Sequence, residues 1–233
     1  MKKGVIWING ASSGIGEALA ESFASHGASL LLTARRYDNL EKIKGRLTDT
    51  QVAIAKLDIG SLPEIEAFDL NTKCEYGIGC LINNAGITTF TPAEADPMDL
   101  IRQIVEVNLI GTIACIKKVL PLMIEQNGGT IINILTVAAK KVFTNSSAYA
   151  ASKAGLAMYS KVLREEVRKY NIRVVNIYPG ATATPIWPES VLQKHSSRMM
   201  QPEELALMIR NLYENQGSVV SEEVELRPLK GDL

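Results

Sequence analysis

The sequence predicts an α/β fold in which a doubly wound, seven-stranded parallel sheet carries helices on both faces. Seven short runs rich in apolar and β-branched residues recur along the chain, at 4–9, 28–34, 51–58, 79–83, 130–136, 172–178 and 218–227. Most of these runs are apolar on both sides, and amphipathic stretches such as 14–26 and 147–170 separate them. Strands of this kind that alternate with helices are typical of a parallel sheet covered on both faces.

The composition is that of an ordinary globular protein, because 46% of the 233 residues are hydrophobic and 21% are charged. No internal repeat and no Pro- or Ser-rich linker is visible, so residues 1–233 are expected to form a single domain. The 25 basic residues are offset by 25 acidic ones, which argues against nucleic acid or an anionic membrane as a partner.

The first apolar run is cut short at Asn9, so it is too short for a secretory signal. The sequence contains no run of about twenty apolar residues, so it predicts no membrane span. These observations predict a cytoplasmic protein. The three cysteines, Cys74, Cys80 and Cys115, have no histidine nearby and favour neither a disulfide framework nor a zinc site. We expect reduced core cysteines and no bound metal.

The first predicted strand leads directly into a glycine-rich turn and then a helix. The turn contains Gly10, Ala11, Ser12, Ser13, Gly14, Ile15 and Gly16. Glycines let the main chain approach a pyrophosphate, and a helix N-terminus offers it free N–H groups and partial positive charge. Glycine-rich turns also serve only to turn the chain, so the position between strand and helix is what favours a dinucleotide-binding Rossmann fold.

The end of the second predicted strand distinguishes NAD from NADP. Arg35 and Arg36 follow Ala34 there, and no carboxylate is present to accept a hydrogen bond from a ribose 2′-hydroxyl. Two guanidinium groups suit a 2′-phosphate, so the sequence favours NADPH or NADP over NADH. The alternative is a solvated pair of arginines at the start of a helix.

Six motifs follow one another along the chain. They are Gly10-Ala11-Ser12-Ser13-Gly14-Ile15-Gly16, Asp58, Asn83-Asn84-Ala85-Gly86, Asn108, Tyr149-Ala150-Ala151-Ser152-Lys153 and Pro179-Gly180. In this order they resemble the short-chain dehydrogenase/reductase family, in particular its classical, NADP-preferring type, nearly end to end. The resemblance implies an oxidoreductase that acts on CH–OH groups with NADP as acceptor, by reversible hydride transfer between nicotinamide and a carbonyl or secondary alcohol.

Tyr149 and Lys153 are four residues apart in a predicted helix, so both side chains project from one face. A nearby ammonium would stabilise the phenolate and lower the pKa of the phenol, which suits an acid/base catalyst. Two such residues are also common on a solvated helix face. The resemblance assigns Tyr149 as the general acid/base and Lys153 as the group that lowers its pKa and holds the nicotinamide ribose.

The resemblance also implies two supporting polar residues. Thr136 stands where the family normally has a serine that hydrogen-bonds the substrate oxygen; the hydroxyl is retained, but the added methyl narrows the pocket. As a β-branched residue, Thr136 could also simply close a strand. Asn108 resembles the family's helix asparagine, which through a bound water helps hold the lysine and pass protons to solvent. Asn9 departs from the family's usual threonine.

For the cofactor, the resemblance implies three further groups of residues. Asp58 and Ile59 would surround the adenine; Asn84, Ala85 and Gly86 would lie along the adenosine ribose; and Pro179, Gly180, Thr182 and Thr184 would lie near the nicotinamide. From the residues alone, Asp58 could also end a strand, and Pro179-Gly180 is a turn signal in any protein.

Residues 185–202 interrupt the alternation with three prolines and mixed polarity, which predicts a long loop that covers the substrate. Ile186 and Trp187 suggest an apolar lining, although they could equally pack the loop against the body.

Two other functions fit parts of the pattern. A non-catalytic NADPH-binding protein that senses redox state would keep the fold, but the retained tyrosine, lysine and hydroxyl argue against it. A nucleotide-sugar epimerase or dehydratase of the extended branch would carry a larger C-terminal substrate region.

The resemblance further implies a homodimer or homotetramer, formed through the helices that carry Asn108 and Tyr149.

Overall fold

The sheet has seven parallel strands, as the sequence predicts. The computed structural model describes residues 4–70, 77–215 and 217–233, so Cys74 lies outside the described residues. The strands are β1 (Val5–Asn9), β2 (Leu30–Ala34), β3 (Val52–Lys56), β4 (Ile78–Asn83), β5 (Gly129–Ile134), β6 (Ile172–Pro179) and β7 (Glu223–Leu226). Their order across the sheet is β3-β2-β1-β4-β5-β6-β7, and every neighbouring pair is parallel.

Helices connect most of the strands. They are α1 (Gly14–Ala24), α2 (Tyr37–Arg46), α3 (Leu62–Ala67), α4 (Met98–Val105), α5 (Thr112–Glu125), α6 (Ser147–Val167), α7 (Glu189–His195) and α8 (Pro202–Glu214). A π-helical turn, Glu106–Gly111, joins α4 to α5.

Each face of the sheet carries its own hydrophobic core. Because successive strand residues point to opposite faces, Ile6 and Ile8 pack on one face and Trp7 on the other. Helices α1, α2 and α8 cover the first face, and α3, α5 and α6 cover the second. The predicted doubly wound Rossmann fold is therefore confirmed.

The strand order places a crevice at the carboxyl end of β1. This strand lies between β2 and β4, so the chain first builds one half of the sheet and then crosses over to build the other. At such a switch point the connections that follow neighbouring strands diverge, which opens a ligand crevice beyond their carboxyl ends.

One helical stretch corrects the expectation that no run has the length of a membrane span. Among the described residues, Met98–Glu125 is long enough and, with a mean hydropathy of 1.7, apolar enough to cross a membrane. In this structure Cys115, Ile116 and Val119 from this stretch pack into the core against the sheet, which is how a core helix behaves. Cys80 and Cys115 are free and buried, as expected.

Residues 185–202 are not a plain loop, contrary to the prediction. Helix α7 and the short 3₁₀ turn Ser196–Arg198 occupy the middle of the segment. Pro188 directly precedes α7, and a proline at a helix start leaves the helical hydrogen bonds intact. A single parallel bridge between Thr182 and Met200 connects the two ends of the segment.

Candidate active site

A cavity of about 710 Å³ lies at the carboxyl ends of the strands. It extends from the glycine-rich turn after β1 to the loops after β5 and β6. All but two of the predicted site residues line it, namely Gly10, Ser12, Ser13, Gly14, Ile15, Arg35, Arg36, Asp58, Ile59, Asn84, Ala85, Gly86, Thr136, Tyr149, Lys153, Pro179, Gly180, Thr182, Thr184, Ile186 and Trp187. The two predicted residues outside the lining are Gly16 and Asn108.

The glycine-rich turn has positions that only glycine fits. Gly10 has a φ of 68°, and a Cβ added there would lie 2.6 Å from the backbone of Ala85. Gly14 has a φ of 58°, and its Cβ would lie 3.0 Å from Thr184. A Cβ at Gly16 would lie 2.3 Å from the carbonyl oxygen of Gly10, so Gly16 packs the turn against its helix. This bare backbone beside a cavity fits a pyrophosphate.

Positive groups surround the N-terminus of α1. Ser13 precedes the helix, and its side chain makes no capping hydrogen bond to the first turn. The Arg36 guanidinium donates to Ser12 Oγ at 3.1 Å and to Ser13 Oγ at 2.6 Å, and Arg35 lines the same end of the cavity. A phosphate group entering here would meet two cations and a helix N-terminus.

Asp58 makes the strand-ending turn that its residue type suggested, and it also lines the cavity. Its Oδ1 accepts a hydrogen bond from the N–H of Gly60 at 2.9 Å. Ile59, the next residue, is buried beneath the same wall. The turn therefore holds the Asp58 carboxylate at the cavity edge.

Four buried asparagines form a hydrogen-bonded ladder across the central strands, a feature not predicted from the sequence. Asn9, Asn83, Asn133 and Asn176 lie side by side in the register of β1, β4, β5 and β6. The first three side-chain nitrogens each donate to the next side-chain oxygen, over distances of 2.7, 2.8 and 3.2 Å from Asn9 to Asn176. Among the described residues Asn176 Nδ2, at the far end, has no hydrogen-bond partner. Buried hydrogen bonds of this kind favour one arrangement of the strands they connect.

Asn9 connects this asparagine ladder to the cavity. Its Oδ1 accepts hydrogen bonds from the backbone N–H groups of Asn84 at 3.0 Å and Ala85 at 2.9 Å. The Asn84 side chain in turn donates to the carbonyl of Gly10 at 2.9 Å. The departure from threonine at position 9 therefore has a structural role.

A sequence signal for the ladder exists, because each of the four strands has two apolar residues directly followed by asparagine. These triplets are Trp7-Ile8-Asn9, Leu81-Ile82-Asn83, Ile131-Ile132-Asn133 and Val174-Val175-Asn176. In parallel strands that are in register, a repeated triplet places like residues side by side.

The surroundings of Tyr149 shift its acidity in the direction opposite to the one expected from the sequence. Burial raises the pKa of Tyr149 to about 12, and a hydrogen bond with the Thr136 side chain offsets part of that rise. Burial dominates because a phenolate loses its hydration in the cavity wall. In the protein alone, Tyr149 is therefore protonated at neutral pH.

Lys153 is a buried ammonium group that no carboxylate pairs with in the described part of the chain. The residue is only 4% exposed, and its Nζ donates to the carbonyl oxygen of Ile134 at 2.8 Å. Burial lowers the pKa of Lys153 to about 8. An unpaired buried cation lowers stability, and groups perturbed in this way cluster at functional sites.

Asn108 lies behind the cavity wall, in the π-helical turn. Its Oδ1 accepts from the N–H of Ile87 at 2.9 Å, and its Nδ2 donates to the Ile87 carbonyl at 2.8 Å and to Ser152 Oγ at 3.1 Å. A Cβ on Gly86 would lie 3.3 Å from Asn108 Oδ1 and 3.4 Å from Lys153 Nζ. Asn108 therefore ties the segment after β4 to α6, close to the lysine.

Two threonines stabilise the conformation of the segment after β6. Thr182 Oγ1 donates to the carbonyl of Gly180 at 3.1 Å, and the Thr182 carbonyl accepts from the indole N–H of Trp187 at 3.1 Å. Thr184 is buried against Gly14, which joins this segment to the glycine-rich turn. Trp187 is thus oriented by a hydrogen bond as well as by packing.

Part of the cavity wall was not predicted from the sequence. Thr88 and Phe90 come from the loop after β4, Phe143 and Thr144 from the connection between β5 and α6, and Asp232 and Leu233 from the segment after β7. These residues lie in three separate segments, and no local pattern marks them as neighbours. Their contact follows only from the tertiary arrangement.

The fold, the glycine-rich turn and the pair of Tyr149 and Lys153 in one cavity define a Rossmann-type oxidoreductase. Comparison with known proteins makes the class specific, because the family model described as short chain dehydrogenase matches residues 4–195. The chain belongs to the short-chain dehydrogenase/reductase family, as its motifs implied. Members of this family act on small-molecule substrates.

Similar proteins cover nearly the whole chain. Sepiapterin reductase from Chlorobaculum tepidum is 34% identical over 245 aligned positions, which cover 99% of this chain and 98% of that protein. An alcohol dehydrogenase from the archaeon Thermococcus sibiricus, complexed with 5-hydroxy-NADP, superposes with a TM-score of 0.88 at 25% identity and covers 98% of both chains. A metagenomic short-chain oxidoreductase in complex with NADP gives a TM-score of 0.84 at 27% identity over 96% of both chains.

Proposed function

We propose that this protein is an NADPH-dependent oxidoreductase that catalyses reversible hydride transfer between nicotinamide and a carbonyl or secondary alcohol. The observation that carries the proposal is the pair of a half-buried Tyr149 and a buried Lys153 in the same cavity as the glycine-rich turn. Arg35 and Arg36 suit a 2′-phosphate, and two similar structures are complexes with NADP or 5-hydroxy-NADP. We expect NADH to bind less tightly.

The residues of the cavity fit the cofactor from end to end. The glycine-rich turn and α1 would receive the pyrophosphate, Asp58 and Ile59 the adenine, and 84–86 the ribose. Lys153 and the segment 179–184 would hold the nicotinamide end. When bound, the reduced nicotinamide supplies a hydride.

Tyr149 donates the proton in the reductive direction. Because burial raises the pKa of Tyr149 to about 12, the phenol is protonated at neutral pH and can transfer its proton to the carbonyl oxygen of the substrate. The Thr136 hydroxyl polarises that oxygen, and the Lys153 ammonium stabilises the phenolate left behind. The methyl of Thr136 narrows the pocket, so we expect altered substrate choice rather than lost activity.

The test is a panel of carbonyl compounds assayed by the loss of NADPH absorbance, with NADH in parallel. The panel includes sepiapterin and simple aldehydes and ketones, because similar proteins are described as a sepiapterin reductase and an alcohol dehydrogenase. We expect at least one compound to be reduced, faster with NADPH than with NADH. Tight NADPH binding without consumption by any compound would instead support a non-catalytic redox-sensing protein of the same fold.

We also propose that residues 1–233 act as one cytoplasmic domain that assembles into a homodimer or homotetramer. Apolar side chains on the outer sides of the π-helical turn and of α6 support assembly, because Ile110, Met158 and Val162 are 40%, 61% and 54% exposed. Light scattering at micromolar concentration tests this, and a monomer would contradict it.

A further inference from the structure

Two aromatic side chains meet in the wall of the cavity that Tyr149 also lines. Phe90, in the loop after β4, and Trp187, in the segment after β6, stack with ring centroids 5.0 Å apart and planes inclined by 21°. Both residues line the same cavity as Tyr149 and Thr136. Phe90 is 42% exposed, so part of its ring remains free for a further contact. The two loops therefore face each other through aromatic surfaces.

A hydrogen bond orients the Trp187 ring, and another anchors the loop next to Phe90. The indole N–H of Trp187 donates to the carbonyl of Thr182 at 3.1 Å. Next to Phe90, the Thr89 hydroxyl donates to Asp96 Oδ1 at 3.1 Å. Asp96 is only 8% exposed, and over residues 4–70, 77–215 and 217–233 its Oδ2 has no hydrogen-bond partner, so the Thr89 contact ties this carboxylate to the loop. Both rings thus belong to segments that are anchored by hydrogen bonds.

We propose that the Phe90–Trp187 pair makes planar, conjugated carbonyl compounds, such as aryl ketones, the preferred substrate class of this site. The inference rests on the proposed function, because it concerns the carbonyl that Tyr149 protonates. With ring centroids 5.0 Å apart, the pair leaves no room for a third ring between them, so a substrate would stack on the exposed part of the pair. A conjugated ring extends this aromatic stack, whereas a saturated ring of the same size offers apolar area alone.

The test compares two ketones of matched size, acetophenone and cyclohexyl methyl ketone. The measured quantity is the ratio of their kcat/KM values, because intrinsic reactivity cancels when the ratio is compared between variants. We define the ratio as kcat/KM for acetophenone divided by kcat/KM for cyclohexyl methyl ketone. We expect Phe90→Leu and Trp187→Leu each to lower this ratio by about five- to tenfold, which corresponds to one aromatic contact. Leucine keeps the apolar character of each position and removes the ring.

Ile186→Ala is the matched control, because Ile186 lines the same cavity with an aliphatic side chain. It should change kcat/KM for both ketones by the same factor. A ratio that stays unchanged in Phe90→Leu and in Trp187→Leu would overturn the inference. So would an equal shift in the ratio with Ile186→Ala.

A binding measurement covers the case in which neither ketone is turned over. The chain has two tryptophans, and the other one, Trp7, is fully buried and stacked on Phe68. With NADP present, acetophenone should quench the fluorescence of Trp187 saturably, and cyclohexyl methyl ketone should not. Trp187→Phe should lose the signal.

Each outcome separates the two proposals. If no carbonyl compound is reduced but acetophenone still quenches Trp187 saturably, the proposed function fails and the substrate preference fails with it, and only the binding of aryl ketones beside Trp187 remains. If ketones are reduced but the ratio of kcat/KM values is the same in Phe90→Leu, in Trp187→Leu and in the wild type, only the inference about the aromatic site fails. Absence of saturable quenching, together with an unchanged ratio, refutes it outright.

Discussion

The two ends of the cavity are built in different ways. At the cofactor end, Gly10, Asn84 and Ala85 sit at strand ends that the sheet register and the asparagine ladder hold together. At the substrate end, Phe90 and Trp187 belong to loops that meet through a ring contact. Strand ends are positioned by many neighbours, whereas loops are positioned by few. Changes at the cofactor end should therefore alter binding and stability together, and changes at the substrate end mainly substrate choice.

Tyr149 and Lys153 lie between these two ends, and burial acts on them in opposite directions. It raises the pKa of Tyr149 to about 12 and lowers the pKa of Lys153 to about 8. In both residues the neutral form gains, because charge is costly in the cavity wall. The protein alone thus presents a protonated phenol beside an ammonium that is easily deprotonated.

The largest effect is expected where the two ends meet. Tyr149→Phe should lower turnover by about a thousandfold, because the proton donor is lost, while NADPH still binds. Carbonyl reduction and a fluorescence titration of NADPH measure the two effects. Tyr159→Phe, on the same helix but outside the cavity, is the control and should retain turnover. Substantial activity in Tyr149→Phe would remove the assigned role.

At the cofactor end, Arg36→Ala should weaken NADPH binding by about 10- to 100-fold, the worth of charge-assisted hydrogen bonds. NADH binding should weaken far less, because NADH has no 2′-phosphate; Arg35→Ala should act in the same direction. Arg46→Ala is the control, because Arg46 pairs with Glu17 and Glu21 on the surface. The affinities for NADPH and for NADH should both stay unchanged in this variant. Equal losses for the two nucleotides would contradict the preference for NADPH.

The asparagine ladder allows binding and stability to be separated at the cofactor end. Asn9→Ala strands the N–H groups of Asn84 and Ala85, so it should lower the free energy of unfolding by about 1–3 kcal/mol and weaken NADPH binding by about tenfold. Asn176→Ala, at the far end of the ladder, should destabilise the fold but leave NADPH affinity intact. Urea unfolding and NADPH titration measure both. An equal loss of NADPH affinity in the two variants would contradict the proposal that Asn9 supports NADPH binding through its hydrogen bonds to Asn84 and Ala85.

The smallest effect concerns the stability cost of the buried lysine. Lys153→Met should raise Tm at neutral pH, by about 2–4 °C for each kcal/mol gained. The pKa of Lys153 is about 8 in the folded protein, below the 10.5 of an exposed lysine, so between these values the unfolded state binds more protons. The free energy of unfolding of the wild type therefore rises with pH across this window relative to the variant.

Thermal melts at neutral pH and across that window measure the gap in Tm between Lys153→Met and the wild type. The gap should narrow as pH rises from about 8, where the folded protein begins to lose the proton. Lys118→Met is the control, because the Lys118 ammonium donates to the carbonyl of Glu66 in an exposed position and should give no such narrowing. A gap that is constant with pH would show that burial of the ammonium is not the source of the cost.

Local sequence patterns were sufficient for the sheet and for most of the cavity lining. Apolar runs define strands, and the glycines and arginines follow strand ends whose place at the carboxyl edge is set by parallel topology. The predictions failed where neighbours in space decide the outcome. Helix α7 was not predicted within 185–202, and Met98–Glu125 has the composition of a membrane span but packs as a core helix.

The sequence by itself determined the alternating fold, the phosphate-binding turn and the spacing of Tyr149 and Lys153, because each depends on contacts within a few residues or on the register of parallel strands. Only the tertiary structure decided the acidity of Tyr149 and Lys153 and the meeting of Phe90 with Trp187. The physical reason is that burial and ring contacts depend on which distant segments pack together, and no short stretch of sequence records that.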